Sequence, residues 1–95
     1  MAERIGASCA PLLGAAPNTV IATGTTTLNI HALVSSFYRP QGSRRKILAD
    51  ELNFPTDLYA LQGQIELAGG IPSRDLLLTP SADGQTLDED RIIDL

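Results

Sequence analysis

The stretch Lys46-Ile47-Leu48-Ala49-Asp50-Glu51-Leu52-Asn53-Phe54-Pro55-Thr56-Asp57-Leu58 reads as a strand, a short connector and the start of a helix. Ile47 to Ala49 form a brief apolar run of the kind a buried strand needs. Pro55 suits the first turn of a helix, where its missing N–H costs nothing. Asp57 sits in that same turn, where a carboxylate meets the positive end of the helix dipole. Leu58, Leu61, Ile65 and Ala68 then continue an apolar stripe, and Gly69-Gly70 is a stop signal.

The same alternation extends in both directions. Upstream, Val20-Ile21-Ala22 is a short β-branched run, so a strand is expected there, broken by Gly24. Thr25-Thr26-Thr27 follows and opens a helical pattern with Ile30, Leu33, Val34 and Phe37 at i, i+3, i+4 and i+7, ended by Pro40 and Gly42. Residues 2–13 are compatible with a further helix, weakened by Gly6 and Pro11, and residues 14–18 read as a loop. Downstream, Leu76-Leu77-Leu78 is a third strand candidate ended by Pro80. Thr86-x-x-Glu89 has the form of a capping box ahead of Ile92, Ile93 and Leu95. Strands and helices alternating at these lengths imply βαβ units and a mainly parallel sheet, an α/β fold. Such a sheet needs helices on both faces, and this chain supplies few. The 95 residues are therefore expected to be part of a single larger domain.

Bulk properties narrow the function. The net charge of −4 argues against a binder of nucleic-acid backbone, which needs a basic face. Arg39, Arg44, Arg45 and Lys46 hold four of the seven basic residues, and a solvated turn before a strand accounts for them. Cys9 is the only cysteine, so no internal disulfide and no Cys/His metal pattern can form, and a reducing, cytoplasmic setting fits. No apolar run approaches the length of a membrane span. No metal-ligand set and no nucleic-acid or membrane partner is expected from these features.

Two places carry candidate chemistry. At Gly24-Thr25-Thr26-Thr27 a helix N-terminus offers free N–H groups beside hydroxyls, which suits a phosphate, although a threonine that simply caps the helix is the more ordinary explanation of the residues. Phe54-Pro55-Thr56-Asp57 lies at a strand-to-helix connection, where open α/β sheets bind ligands. An aromatic ring there can stack on a flat group while hydroxyl and carboxylate hold its edges; the alternative is a helix start with Phe54 as an apolar plug. His31 is the only histidine and has no Ser, Cys or Asp partner pattern, so a structural hydrogen bond is its ordinary use.

Taken in order, these pieces resemble the kynureninases. The shared run is Thr25-Thr26-Thr27-Leu28-Asn29-Ile30-His31, Ser36-Phe37-Tyr38-Arg39-Pro40, Arg45-Lys46-Ile47-Leu48, Phe54-Pro55-Thr56-Asp57, Tyr59-Ala60, Gln64 and Gly84-x-Thr86-Leu87-x-x-Glu89-Asp90. The resemblance implies an internal segment of the large domain of an aspartate-aminotransferase-type fold, a three-layer αβα arrangement that binds pyridoxal 5'-phosphate. It implies that Thr26 and Thr27 contact the cofactor phosphate and that Phe54 stacks on the pyridine ring. Pro55 would shape that stretch, and Thr56 and Asp57 would hydrogen-bond around the cofactor. Position 26 is Thr where relatives often carry Leu, and position 56 is Thr where others have Ser. The family acts as a homodimer and hydrolyses L-kynurenine, or 3-hydroxykynurenine, to anthranilate or 3-hydroxyanthranilate and L-alanine, in tryptophan catabolism and NAD biosynthesis. Its catalytic lysine lies beyond the segment matched here. Lys46, the only lysine, corresponds to a basic stretch before a strand. No catalytic residue is therefore expected in this chain, and the chain alone is expected to be inactive. The competing readings are a cysteine desulfurase-like enzyme of the same fold, disfavoured by Phe54 where those enzymes usually place a histidine, and a truncated, non-catalytic binding module.

Overall fold

A computed structural model describes all 95 residues. The order is α1 (Ala2–Leu13), a single 3-10 turn (Pro17–Thr19), α2 (Thr26–Phe37), β1 (Ile47–Asp50), α3 (Pro55–Leu67), α4 (Pro72–Asp75), β2 (Leu76–Thr79) and α5 (Glu89–Ile93). β1 and β2 pair in parallel, with Ile47 opposite Leu76 and Asp50 opposite Thr79. Parallel strands need a crossover, and α3 with α4 provides it. The expected α/β alternation is present as this one β1–α3–α4–β2 unit.

The expected strand at Val20–Ala22 does not form. Val20 has extended torsions, φ −116° and ψ 133°, but the sheet contains only β1 and β2. Strand torsions without a neighbour to take up the N–H and C=O groups make an extended segment, not a strand. That segment instead lies against α1. A Cβ built on Gly6 would come 2.0 Å from the Val20 carbonyl oxygen, so only glycine allows this approach. The helix α1 does span residues 2–13 despite Pro11, and Gly14 closes it in the left-handed conformation at φ 62°.

The core is small and lies around α3. Ile65 and Ala60 of α3 are buried, as are Thr79 at the end of β2 and Asp75 at the end of α4. Asp75 tolerates burial because every side of its carboxylate is engaged. The Ile71 N–H donates to it at 2.9 Å, and Arg74 Nε and Nη2 donate at 2.7 and 2.6 Å. The Arg74 guanidinium, and after it the Ile71 N–H, hold this carboxyl well below the usual carboxylate range. Gly70 makes room: a Cβ there would meet the Asp75 carboxylate at 2.8 Å and the Ile65 side chain at 2.7 Å.

The last helix also starts differently from the capping-box pattern. Asp88, not Thr86, caps α5 by accepting the Asp90 N–H at 3.1 Å. Thr86 is drawn away by Asp83, whose carboxylate accepts the Thr86 hydroxyl at 2.7 Å and the Thr86 and Gln85 N–H groups at 2.8 and 2.9 Å. Those bonds lower the Asp83 carboxyl well below its ordinary range, the Thr86 hydroxyl contributing most. The charged Asp83 carboxylate is a strong acceptor for both the hydroxyl and the N–H of Thr86, and it holds that residue in the turn ahead of the helix.

Much apolar surface stays open. The accessible surface is 7120 Å², against about 5,300 Å² for a compact monomer of this mass. The radius of gyration is 16.0 Å, against about 12 Å for a compact chain of this length. Phe37 and Leu67 are 79% and 81% exposed. Leu48 and Leu78, which the register places on opposite faces of the sheet, are both exposed. The two strands thus carry apolar side chains on both faces without the covering layers a three-layer arrangement would add.

Candidate functional site

The connector after β1 is shaped by its own side chains. Asn53 Nδ2 donates to the Asp50 carboxylate at 2.8 Å and to the Asp50 carbonyl at 3.1 Å. This Asx-type clamp turns the chain sharply at the carboxyl end of β1 and delivers Phe54 as the N-cap residue of α3, with Pro55 at its first position. Upstream, Asn29 Nδ2 donates to the Thr23 carbonyl at 3.3 Å, and Gly24 takes a positive φ of 38°. Together they fold the Thr23–Thr25 turn back onto the start of α2. Neither asparagine stood out in the sequence; an Asn three residues after an Asp at a strand end is the signal that was there to be read.

The three threonines divide their work. Thr25 is the N-cap of α2, its hydroxyl accepting the Leu28 N–H at 3.3 Å. Capping therefore occupies one hydroxyl and leaves Thr26 and Thr27 free of it. Their backbone N–H groups lie in the first turn, where a helix has no acceptor of its own. The Thr27 hydroxyl donates to Asp57 Oδ1 at 3.4 Å, a long bond between half-buried groups. Thr25, Thr26, Thr27, Phe54, Thr56 and Asp57 together line one cleft of about 300 Å³. The structure thus gathers five of the six residues singled out from the sequence into one place, and Pro55 holds the backbone between two of them. The Phe54 ring is 75% exposed, so it is a wall of the cleft and not an apolar plug.

The helices α2 and α3 lie side by side and point the same way. Thr27 meets Asp57 near their starts, and one turn further along α2 His31 meets Gln64, two turns further along α3. Both helix N-termini, each a partial positive charge, therefore open on the cleft. The chemistry on offer is N–H groups and hydroxyls for an anion, an open aromatic face for a flat ring, and a carboxylate at its edge. No three side chains among His, Cys, Asp and Glu are gathered as a metal would require.

Lys46 lies at the other end of β1 from Phe54. It lines a separate concavity of about 520 Å³ together with Arg39, Arg44 and Arg45. Arg39 Nη1 donates to the Ser35 carbonyl at 2.8 Å and Arg45 Nε to the Gly42 carbonyl at 2.9 Å, so these cations finish α2 and brace the following turn. A hollow of about 490 Å³ along the outer side of α1 is lined by Met1, Arg4, Ile5, Ser8 and Cys9 and brings no reactive set together. No helix is long and apolar enough to cross a membrane.

Comparison with curated proteins gives a consistent result. A kynureninase of Geobacillus thermodenitrificans is 57% identical over 93 residues, one of Bacillus anthracis 54% and one of Shouchella clausii 50%. The chain matches a segment of the kynureninases. Each alignment takes in 98% of this chain and 22% of the relative, so the chain spans about a fifth of the length of the kynureninases it matches. No protein-family model matches the chain. No solved structure matches it. The matched stretch of 93 residues spans both segments that line the cleft, Thr25–Thr27 and Phe54–Asp57.

Proposed function

We propose that this chain is the part of a kynureninase large domain that seats pyridoxal 5'-phosphate. The observation that carries the reading is the cleft itself. Two helix N-termini, the hydroxyls of Thr26 and Thr27 and the open ring of Phe54 converge in a chain half or more identical to kynureninases. The residues fit the group. The Thr26 and Thr27 N–H and hydroxyl groups receive the phosphate, and Phe54 stacks on the pyridine ring. Pro55 sets the angle of that wall. Thr56 and Asp57 hydrogen-bond at the cofactor's edge. Thr27 gives up its 3.4 Å bond to Asp57 at little cost, which frees its hydroxyl for the phosphate.

When bound, the cofactor would supply an electron sink for loss of the substrate's α-proton and cleavage of its Cβ–Cγ bond. This chain's own share is binding and orientation. Lys46, the sole lysine, stands at the opposite end of β1 from the cleft, so no lysine of this chain is placed to hold the cofactor covalently. The intact enzyme, a cytoplasmic homodimer on this reading, hydrolyses L-kynurenine or its 3-hydroxy analogue to the anthranilate and L-alanine, a step in tryptophan catabolism toward NAD. The 95 residues belong to one larger domain whose remaining layers cover the open apolar surface, and that surface favours this reading over an independent binding module.

The test uses the full-length enzyme that carries this segment, beside the 95-residue chain. Phe54→Ala and Thr27→Val are expected to lower cofactor affinity of the full-length enzyme by at least ten-fold. The chain alone is expected to release no anthranilate from kynurenine. Unchanged cofactor affinity in both variants, or turnover by the chain, would overturn the reading.

A further inference from the structure

The contact between His31 and Gln64 has no part in the cleft's lining, yet it ties together the two helices that form it. Gln64 Nε2 and His31 Nδ1 lie 2.9 Å apart, and both residues are half-buried. With Gln64 Nε2 as the donor Nδ1 accepts, an arrangement that calls for the ring tautomer protonated on Nε2. The second tie between α2 and α3 is the Thr27–Asp57 bond, longer at 3.4 Å.

The spacing makes the two ties complementary. Thr27 and His31 are four residues apart on one face of α2, an axial distance of about 6 Å. Asp57 and Gln64 are seven apart on one face of α3, about 10.5 Å. Gln64 covers the difference because helical side chains lean toward the N-terminus. One tie alone lets the helices pivot or slide; two at different heights fix their register. The upper tie is also the one a ligand would break, because the Thr27 hydroxyl cannot serve Asp57 and an incoming phosphate with the same proton. When it is given up, the His31–Gln64 bond is the one side-chain hydrogen bond left between the two packed helices.

We infer that His31 and Gln64 are positioning residues for the cofactor seat: their bond sets the register of α2 on α3 and so keeps Thr27 and Asp57 opposed. The inference rests on the reading of the cleft as that seat. It acts through the helices, and neither side chain need touch the cofactor.

The test is NMR on the 95-residue chain and its variants Gln64→Leu and Gln64→Glu. His31 is the only histidine, so its ring nitrogens can be assigned without ambiguity. Wild type is expected to show the Nε2–H tautomer and a nuclear Overhauser contact between the Thr27 methyl and the Asp57 β-protons. Added pyridoxal 5'-phosphate should shift the Thr26 and Thr27 amides saturably. Gln64→Leu keeps the bulk and loses the donor; the tautomer preference and the Thr27–Asp57 contact should fade, and cofactor affinity should fall about five-fold, the worth of one hydrogen bond. Gln64→Glu, which can hold His31 in its doubly protonated form, should restore both the contact and the affinity. A Gln64→Leu variant that retains the Thr27–Asp57 contact, or binds the cofactor as tightly as wild type, overturns the inference. A wild-type chain with the expected tautomer and contact but no amide shift on adding the cofactor overturns the seat reading and leaves the register to be judged by the contact in Gln64→Leu.

Discussion

Gly6 and Gly63 both sit inside helices, and the same substitution should move them in opposite directions. Glycine to alanine in a helix interior gains about 1 kcal/mol from backbone entropy alone. At Gly63 the new methyl meets nothing within 4 Å, so that gain stands. At Gly6 the methyl would lie 2.0 Å from the Val20 carbonyl oxygen and 3.0 Å from its carbon. Both are backbone atoms with no rotamer to change, so α1 or the Val20 segment must move by more than an ångström. Overpacking of this kind costs about 1–3 kcal/mol, and the upper end applies against backbone. The net expectation is a loss of about 1–2 kcal/mol for Gly6→Ala and a gain of about 1 kcal/mol for Gly63→Ala. The main packing of α1 is against the Pro17–Thr19 turn, so the loss should appear as release of α1 and not as global melting. Residue-resolved amide exchange separates the two. Protection across the last turn of α1 should fall roughly 5- to 30-fold in Gly6→Ala, while α3 amides gain protection in Gly63→Ala. Equal or greater α1 protection in Gly6→Ala would falsify the claim that the Val20 segment is packed on α1 at that distance.

Two more outcomes follow from the hydrogen bonds. Thr25→Ala removes the only side-chain cap of α2 and should cost about 1 kcal/mol in urea unfolding, with Thr25→Ser close to wild type; an alanine variant as stable as wild type would show that the cap contributes nothing. Asp75 and Asp83 both have carboxyls lowered in the folded state, so their contribution is fully present above the ordinary carboxylate range and is lost as pH falls through their lowered folded values. Stability of the chain should therefore decline in strong acid, and Asp75→Asn should flatten that decline, which acid titration followed by circular dichroism can read; an unchanged slope in Asp75→Asn would remove Asp75 as a cause.

Some parts of this molecule are written locally. Pro55 at a first turn, Gly69-Gly70 after Leu67 and the apolar stripe through Ile65 each act within one or two helical turns, so α3 and both its ends could be read from the residues themselves. The same holds for β1 and β2, and for the cleft residues, because a strand followed by a helix places its connector at the carboxyl end of the sheet wherever it occurs. Residue types alone favoured capping over phosphate binding at the threonines, and only the ordered likeness to kynureninases brings a cofactor into the proposal.

What tertiary structure decided is everything that depends on a distant partner. Val20–Ala22 has strand residues, and Val20 has strand torsions, but no neighbouring strand pairs with it, and Val20 packs on Gly6 instead. Thr86 has the right spacing for a cap, yet Asp83 competes for it and wins. The brief helix α4 and the buried Asp75 beneath Gly70 arise from a carboxylate satisfied by Arg74 and Ile71, which no periodicity announces. Which threonine reaches across to α3 was settled only when α2 lay beside it, with Asp57 drawing Thr27 and Gln64 drawing His31. Sequence pattern specifies the elements because propensity and turn chemistry act over a few residues; their pairing is a matter of long-range hydrogen bonds and contact, and only the folded chain assigns those.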